Sequence, residues 1–193
     1  IKFAEHFYPD LLPNLSTCKS PQQMFGALAK VYFAEKAGLN PANVISVSIM
    51  PCTAKKFEAQ RPEMNSSGYR DVDYVLTTRE IAKMIRQAGI DFKNLKDAPA
   101  DELMGIYSGA ATIFGATGGV MEAAARTAYK LITNHDLENI DLEPVRGLSG
   151  IKTATIAANS LQIKVGVAHG LGNARRLLDE IRNGQSPYHF IEI

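Results

Sequence analysis

The run Val44-Ile45-Ser46-Val47-Ser48-Ile49-Met50 constrains this chain most, because it is dense in β-branched side chains and stops abruptly at Pro51. It reads as a strand entered through the Asn40-Pro41 turn. The next residues, Pro51-Cys52-Thr53-Ala54-Lys55-Lys56, fall where the strand gives way to a helix. Ligands of α/β proteins gather at such junctions, beyond the carboxyl ends of strands.

The surrounding elements fit that class. Ser20-Pro21-Gln22-Gln23 is a helix start, with Ser as cap, Pro at the first helical position and Gln three residues after the cap. The helix is predicted to run to about Gly38, and Met24, Ala27, Leu28, Val31 and Ala34 recur at three- and four-residue intervals as its buried face. Tyr74-Val75-Leu76 is a second short strand. Thr77-Thr78-Arg79-Glu80 then has capping-box spacing for a helix ending near Gly89, and strand followed by helix predicts a parallel crossover. Gly118-Gly119 opens an Ala-rich helix and lets a backbone approach its N-terminus closely. Ile151 to Ala157 and Leu161 to Ala168 flank Asn159-Ser160 as a hairpin. A helix from about Leu171 to Arg182 stops at Gly184, and a last strand runs from Tyr188 to Ile193. The alternation predicts an α/β fold with helices flanking mostly parallel, twisted sheets. Linkers, repeats and low-complexity segments are absent from the sequence.

Bulk properties exclude several functions. With 193 residues, 46% of them hydrophobic and 21% charged, the chain can bury a core as one domain or two small lobes. A net charge of +1 gives no footprint for nucleic acid or an anionic membrane, and no apolar run is long enough to span a bilayer. Cys18 and Cys52 lie too far apart for a CxxC site and form no disulfide framework. That usage fits a reducing compartment, so the cytoplasm is expected ahead of the periplasm. The chain opens on Ile1-Lys2-Phe3 and stops within the apolar run Phe190-Ile191-Glu192-Ile193, so it reads as a fragment.

Cys52 is the residue with the most chemistry to offer. A cysteine at a helix start, near the positive end of the helix dipole and beside ammonium groups, favours the thiolate that binds metal. Lys55, three residues on, would project beside it and hydrogen-bond an anionic ligand. On spacing alone, a small buried-type thiol beside two solvated lysines is the stronger reading. Cys18 reads as structural, and His6, His135, His169 and His189 lack metal-ligand spacing. Gly170-Leu171-Gly172 followed by Glu192 has part of a dinucleotide fingerprint, but its third glycine is missing.

Three separated runs carry a resemblance. Ile49-Met50-Pro51-Cys52-Thr53-Ala54-Lys55-Lys56-Phe57-Glu58 resembles the second signature of the FeFe (iron-only) hydrogenases. Ser20-Pro21-Gln22-Gln23-Met24-Phe25-Gly26 and Ile113-Phe114-Gly115-Ala116-Thr117-Gly118-Gly119-Val120-Met121-Glu122-Ala123 agree with it, as do Val145-Arg146-Gly147 and Tyr188-His189-Phe190-Ile191-Glu192. The resemblance extends over essentially the whole chain and implies an internal fragment of the catalytic domain, with two lobes around a buried cluster. That cluster, the H-cluster, joins a 4Fe-4S unit through a cysteine sulfur to a di-iron unit carrying CO, cyanide and a dithiolate, and four cysteines hold it.

The resemblance makes Cys52 one of those ligands and implies the others in a Cys-Cys-Pro motif just before Ile1 and a Cys-x-x-x-Cys motif just after Ile193. It makes Lys55 the donor to an iron-bound cyanide, with Pro21, Gln22, Met50 and Phe114 lining the pocket and Ser16 relaying protons. Read without it, Met50 and Phe114 are ordinary core and Ser16 is a cap. The implied partners are ferredoxin or a similar electron carrier and the hydrogenase maturation proteins, the implied reaction is interconversion of protons, electrons and hydrogen in an anaerobic metabolism, and the isolated fragment is expected to be inactive. A non-catalytic relative, similar to eukaryotic iron-sulfur assembly factors, is the rival. Met50, Thr53-Ala54-Lys55-Lys56 and Phe114-Gly115 match the hydrogenases better. A sensory hydrogenase fits the same residues.

Overall fold

A computed structural model describes residues 1–101, 103, 104, 109–138, 140, 143, 144 and 149–193. The run Val145-Arg146-Gly147 lies outside the described residues. In chain order the helices are α1 (Lys2–Phe7), α2 (Pro21–Leu28), α3 (Ala34–Lys36), α4 (Ala54–Ala59), α5 (Thr78–Gln87), α6 (Ala110–Ile113), α7 (Gly119–Thr133) and α8 (Leu171–Arg182). The strands are β1 (Val47–Met50), β2 (Tyr74–Thr77), β3 (Glu143–Pro144), β4 (Ile151–Ala158), β5 (Leu161–Ala168) and β6 (Phe190–Glu192). The chain divides into two compact units, one of residues 16–105 and one joining 1–15 to 106–193.

In the 16–105 unit, β1 and β2 pair in parallel with Val47 opposite Tyr74 and Met50 opposite Thr77, and α4 lies in the crossover between them. Ala59, Val72 and Val75 form the core, with Met50 packed on it. Ser20 caps α2 as predicted, its side chain accepting from the Gln23 N–H, and the helix continues through a π-helical stretch, Ala29–Phe33, into α3. The buried face is a different one, however. Gln22, Gln23, Gly26, Ala29, Lys30 and Ala34 are buried, whereas Met24, Leu28 and Val31 are exposed. Steric fit and charge explain the rotation. A Cβ on Gly26 would lie 2.3 Å from the Asp71 carbonyl oxygen, so only glycine allows this approach. The buried Lys30 ammonium pairs with Asp73 at 2.8 Å.

A fully buried acid organises the loop before β2. Asp71 accepts from the N–H groups of Ser66 (3.0 Å) and Ser67 (2.9 Å) and pairs with Lys19 at 3.3 Å. Burial alone would raise its pKa, but the hydrogen bonds from Ser67 and Ser66 and the Lys19 ammonium outweigh that and hold the carboxyl below its usual range.

In the other unit the sheet order is β3-β4-β5-β6. The predicted hairpin is present, with Ile151 opposite Ala168, Ala158 opposite Leu161, and Asn159 at φ 55°, a left-handed value that Asn tolerates. β6 adds in parallel to β5. Alternation along the strands sends Ile156, Val165 and Val167 to Met121 of α7, and Ile151 and Ala168 to Leu177 of α8. The sheet is therefore covered by a helix on each face, which is why Val165 to Ala168 are all buried. A cavity of about 150 Å³ remains between α7 and the sheet, lined by Ala125, Ala128, Ile156, Val165 and Phe190 among others. The α/β class holds. The pairing, expected to be mostly parallel, divides evenly among the described strands, with β1·β2 and β5·β6 parallel and β3·β4 and β4·β5 antiparallel. The tight hairpin at Asn159 is the cause, since two residues can reverse a chain but cannot cross it over.

Candidate functional site

The candidate site is built where β1 ends. Met50 is the last residue of β1, Pro51 and Cys52 follow outside regular structure, and Thr53 is the N-cap of α4. The helix starts at Ala54, two residues beyond Cys52, and is six residues long. So short a helix contributes only a small dipole, weaker than the sequence reading supposes. Cys52 is a free, exposed thiol.

Three elements of this unit meet at Gln22. Gln22, buried in the first turn of α2, accepts at Oε1 from the Ser48 hydroxyl of β1 at 2.8 Å, and its Nε2 donates to the Lys55 carbonyl oxygen of α4 at 3.5 Å. This single amide ties α2, β1 and α4 together, and all three carry predicted site residues. The Lys55 ammonium pairs with Glu58 at 2.8 Å, both side chains being about a quarter exposed (29% and 21%). Lys56 turns to another element, pairing with Glu80 of α5 at 2.7 Å. The two lysines are thus sorted by two acids.

Pro21 is exposed at the first position of α2, and Met50 is half-buried against Ala59, Val72 and Val75. Ser16 is exposed, its hydroxyl oxygen accepting from the Cys18 N–H at 3.2 Å, which is the turn-capping role noted for it. Phe114 belongs to the other unit, where it forms the C-cap of α6. Among the described residues no group of three or more His, Cys, Asp or Glu side chains could hold a metal ion.

Sequence reasoning missed Ser48 and Glu58. Ser48 alternates with Val47 and Ile49 along β1, and Glu58 stands three residues after Lys55, so both were open to strand and helix periodicity. It also missed the partner of Gly118-Gly119. The Glu192 carboxylate accepts from the N–H groups of Gly118 (2.9 Å) and Met121 (2.6 Å) at the start of α7. That use of Glu192 removes the acid on which a dinucleotide reading depends.

Fold and junction together define an α/β protein with an exposed cysteine thiol at a strand's carboxyl end and an ammonium close by in sequence. The chain belongs to the family described as iron only hydrogenase large subunit, C-terminal domain, whose pattern matches residues 1–193. It is similar to the periplasmic Fe hydrogenase large subunit of Nitratidesulfovibrio vulgaris, with 55% identity over 99% of this chain and 45% of that protein. A solved structure described as stepwise FeFe-hydrogenase H-cluster assembly superposes with a TM-score of 0.83 at 39% identity, over 99% of this chain and 55% of that one. The mouse cytosolic iron-sulfur assembly component 3 is 32% identical over 95% of this chain and 40% of its own length, well below the hydrogenase relative. The chain spans about half or less of the length of these relatives.

Proposed function

We propose that the chain is part of the catalytic domain of an iron-only hydrogenase, and that the full-length protein interconverts protons, electrons and molecular hydrogen. The observation that carries this reading is the free thiol of Cys52 at the β1–α4 junction, in a chain matched from end to end by the hydrogenase family.

The donor chemistry fits one corner of the H-cluster: a thiol for iron, an ammonium for an anionic ligand and a buried amide holding the walls. The bound cluster would supply the metal centre and pass electrons between it and the external carrier. Cys52 would be one of its thiolate ligands, with the remaining ligands coming from outside these 193 residues, which contain only two cysteines. Lys55 would donate to a cyanide of the di-iron unit, Pro21, Gln22 and Met50 would help exclude water around it, and Ser16 would relay protons through a hydroxyl that both accepts and donates. Ferredoxin or a similar carrier would exchange electrons with the protein, and maturation proteins would install the di-iron unit. Among the described residues no helix is long and apolar enough to cross a membrane.

The test is hydrogen evolution from reduced viologen by the full-length protein matured with its cofactor. Cys52→Ala is expected to reduce it to background, because a cluster ligand is lost. Wild-type turnover in that variant would reject the site assignment.

A further inference from the structure

We propose that Glu58 is a positioning residue, whose carboxylate holds the Lys55 ammonium ready for an anionic ligand at the Cys52 junction. The inference rests on the assignment of Lys55 made above and adds a residue to it.

Lysine is a compact charge on a long, flexible stem, and holding it in one place costs side-chain entropy. In this chain it is fixed at both ends. The Lys55 carbonyl accepts from Gln22, which the Ser48 hydroxyl holds in turn, and the ammonium is 2.8 Å from Glu58 Oε2 within the same helix. An ammonium has three N–H donors, so pairing with one carboxylate oxygen leaves others for a ligand. Stability alone is a poor explanation for the pair, since a partly exposed i,i+3 ion pair adds little to folding. The adjacent Lys56 is drawn away to Glu80, so the acids decide which of two consecutive lysines serves the junction.

The experiment uses the matured full-length protein and reads the infrared stretching bands of the cyanide ligands, which report hydrogen bonding without turnover. Lys55→Ala is expected to shift a cyanide band, and Glu58→Ala to shift the same band in the same direction by a smaller amount, with Glu58→Gln in between because it keeps an acceptor oxygen. Bands that move in Lys55→Ala but stay at wild-type positions in both Glu58 variants would overturn the proposal and leave the Lys55 assignment standing. Bands unmoved in Lys55→Ala would overturn both. A second measurement does not depend on maturation. The ammonium ¹⁵N–¹H signal of Lys55 in the cofactor-free protein is expected to be visible in wild type and lost in Glu58→Ala through faster exchange, and an unchanged signal would also sink the idea.

Discussion

Glycine and acid positions show most clearly what single residues decide in this chain. Gly119 is required by close approach: a Cβ there would lie 1.6 Å from the Ile113 carbonyl oxygen. Gly119→Ala is therefore expected to destabilise the protein by about 3 kcal/mol or more, the upper range of overpacking, measurable as a lowered urea midpoint. A midpoint equal to wild type would mean α6 and the start of α7 are not so close. The sequence already marked Gly118-Gly119 as a place of close approach, but the acid that accepts from the Gly118 and Met121 N–H groups is Glu192, and no local pattern announces a partner about seventy residues away. Likewise the placement of Cys52 and Lys55 where β1 gives way to α4 was legible, whereas Gln22 as the tie between Ser48 and Lys55 was not, because that role exists only once three elements are assembled.

Local signals worked well at the level of elements. The Thr77 capping box forms in full: its side chain accepts from the Glu80 N–H, and the Glu80 carboxylate accepts from the Thr77 N–H at 2.7 Å. The Lys56 hydrogen bond, followed by those from Thr77, lowers the Glu80 pKa to about 2. A carboxyl depressed in the folded state stabilises it above its ordinary pKa of 4.5, and that contribution disappears as pH falls through about 2. Thr77→Ala is expected to cost about 1 kcal/mol near neutral pH and to move the Glu80 titration upward toward the ordinary value, read by carboxyl NMR chemical shifts. An unmoved titration would assign the depression to Lys56 and the backbone N–H of residue 77, with no part for the hydroxyl. Helical periodicity failed at α2, where it chose Met24, Leu28 and Val31 for burial. The physical reason is that a glycine against the Asp71 carbonyl and a lysine against Asp73 outcompete the apolar side in orienting the helix, a tertiary effect that a single helix's pattern does not contain.

On the proposed reading, the molecule as a whole would supply part of a metal site. Reconstituted alone with iron and sulfide, the 193-residue chain is expected to form no stoichiometric 4Fe-4S cluster, because it has two cysteines where such a cluster takes four thiolates. A stable cluster at one per chain, seen in the visible absorption spectrum, would contradict the idea that the other ligands lie outside. The α/β class, the β4–β5 hairpin and the helices α5, α7 and α8 were legible in advance, whereas α1, α6 and β3 were not, and β1 starts three residues later than its β-branched run suggests.

The discontinuous unit has a consequence for how the protein is made. Tyr8 donates to Asp179 at 2.7 Å and Arg182 donates to Asp10 at 2.9 Å, so the opening residues dock on a helix near the far end of the chain. On the ribosome, residues 16–105 emerge whole while α1 still waits for α8 to be synthesised. The inserted unit can fold before α8 is made, and α1 must remain undocked until then, a stage at which a chaperone would find Phe3 uncovered.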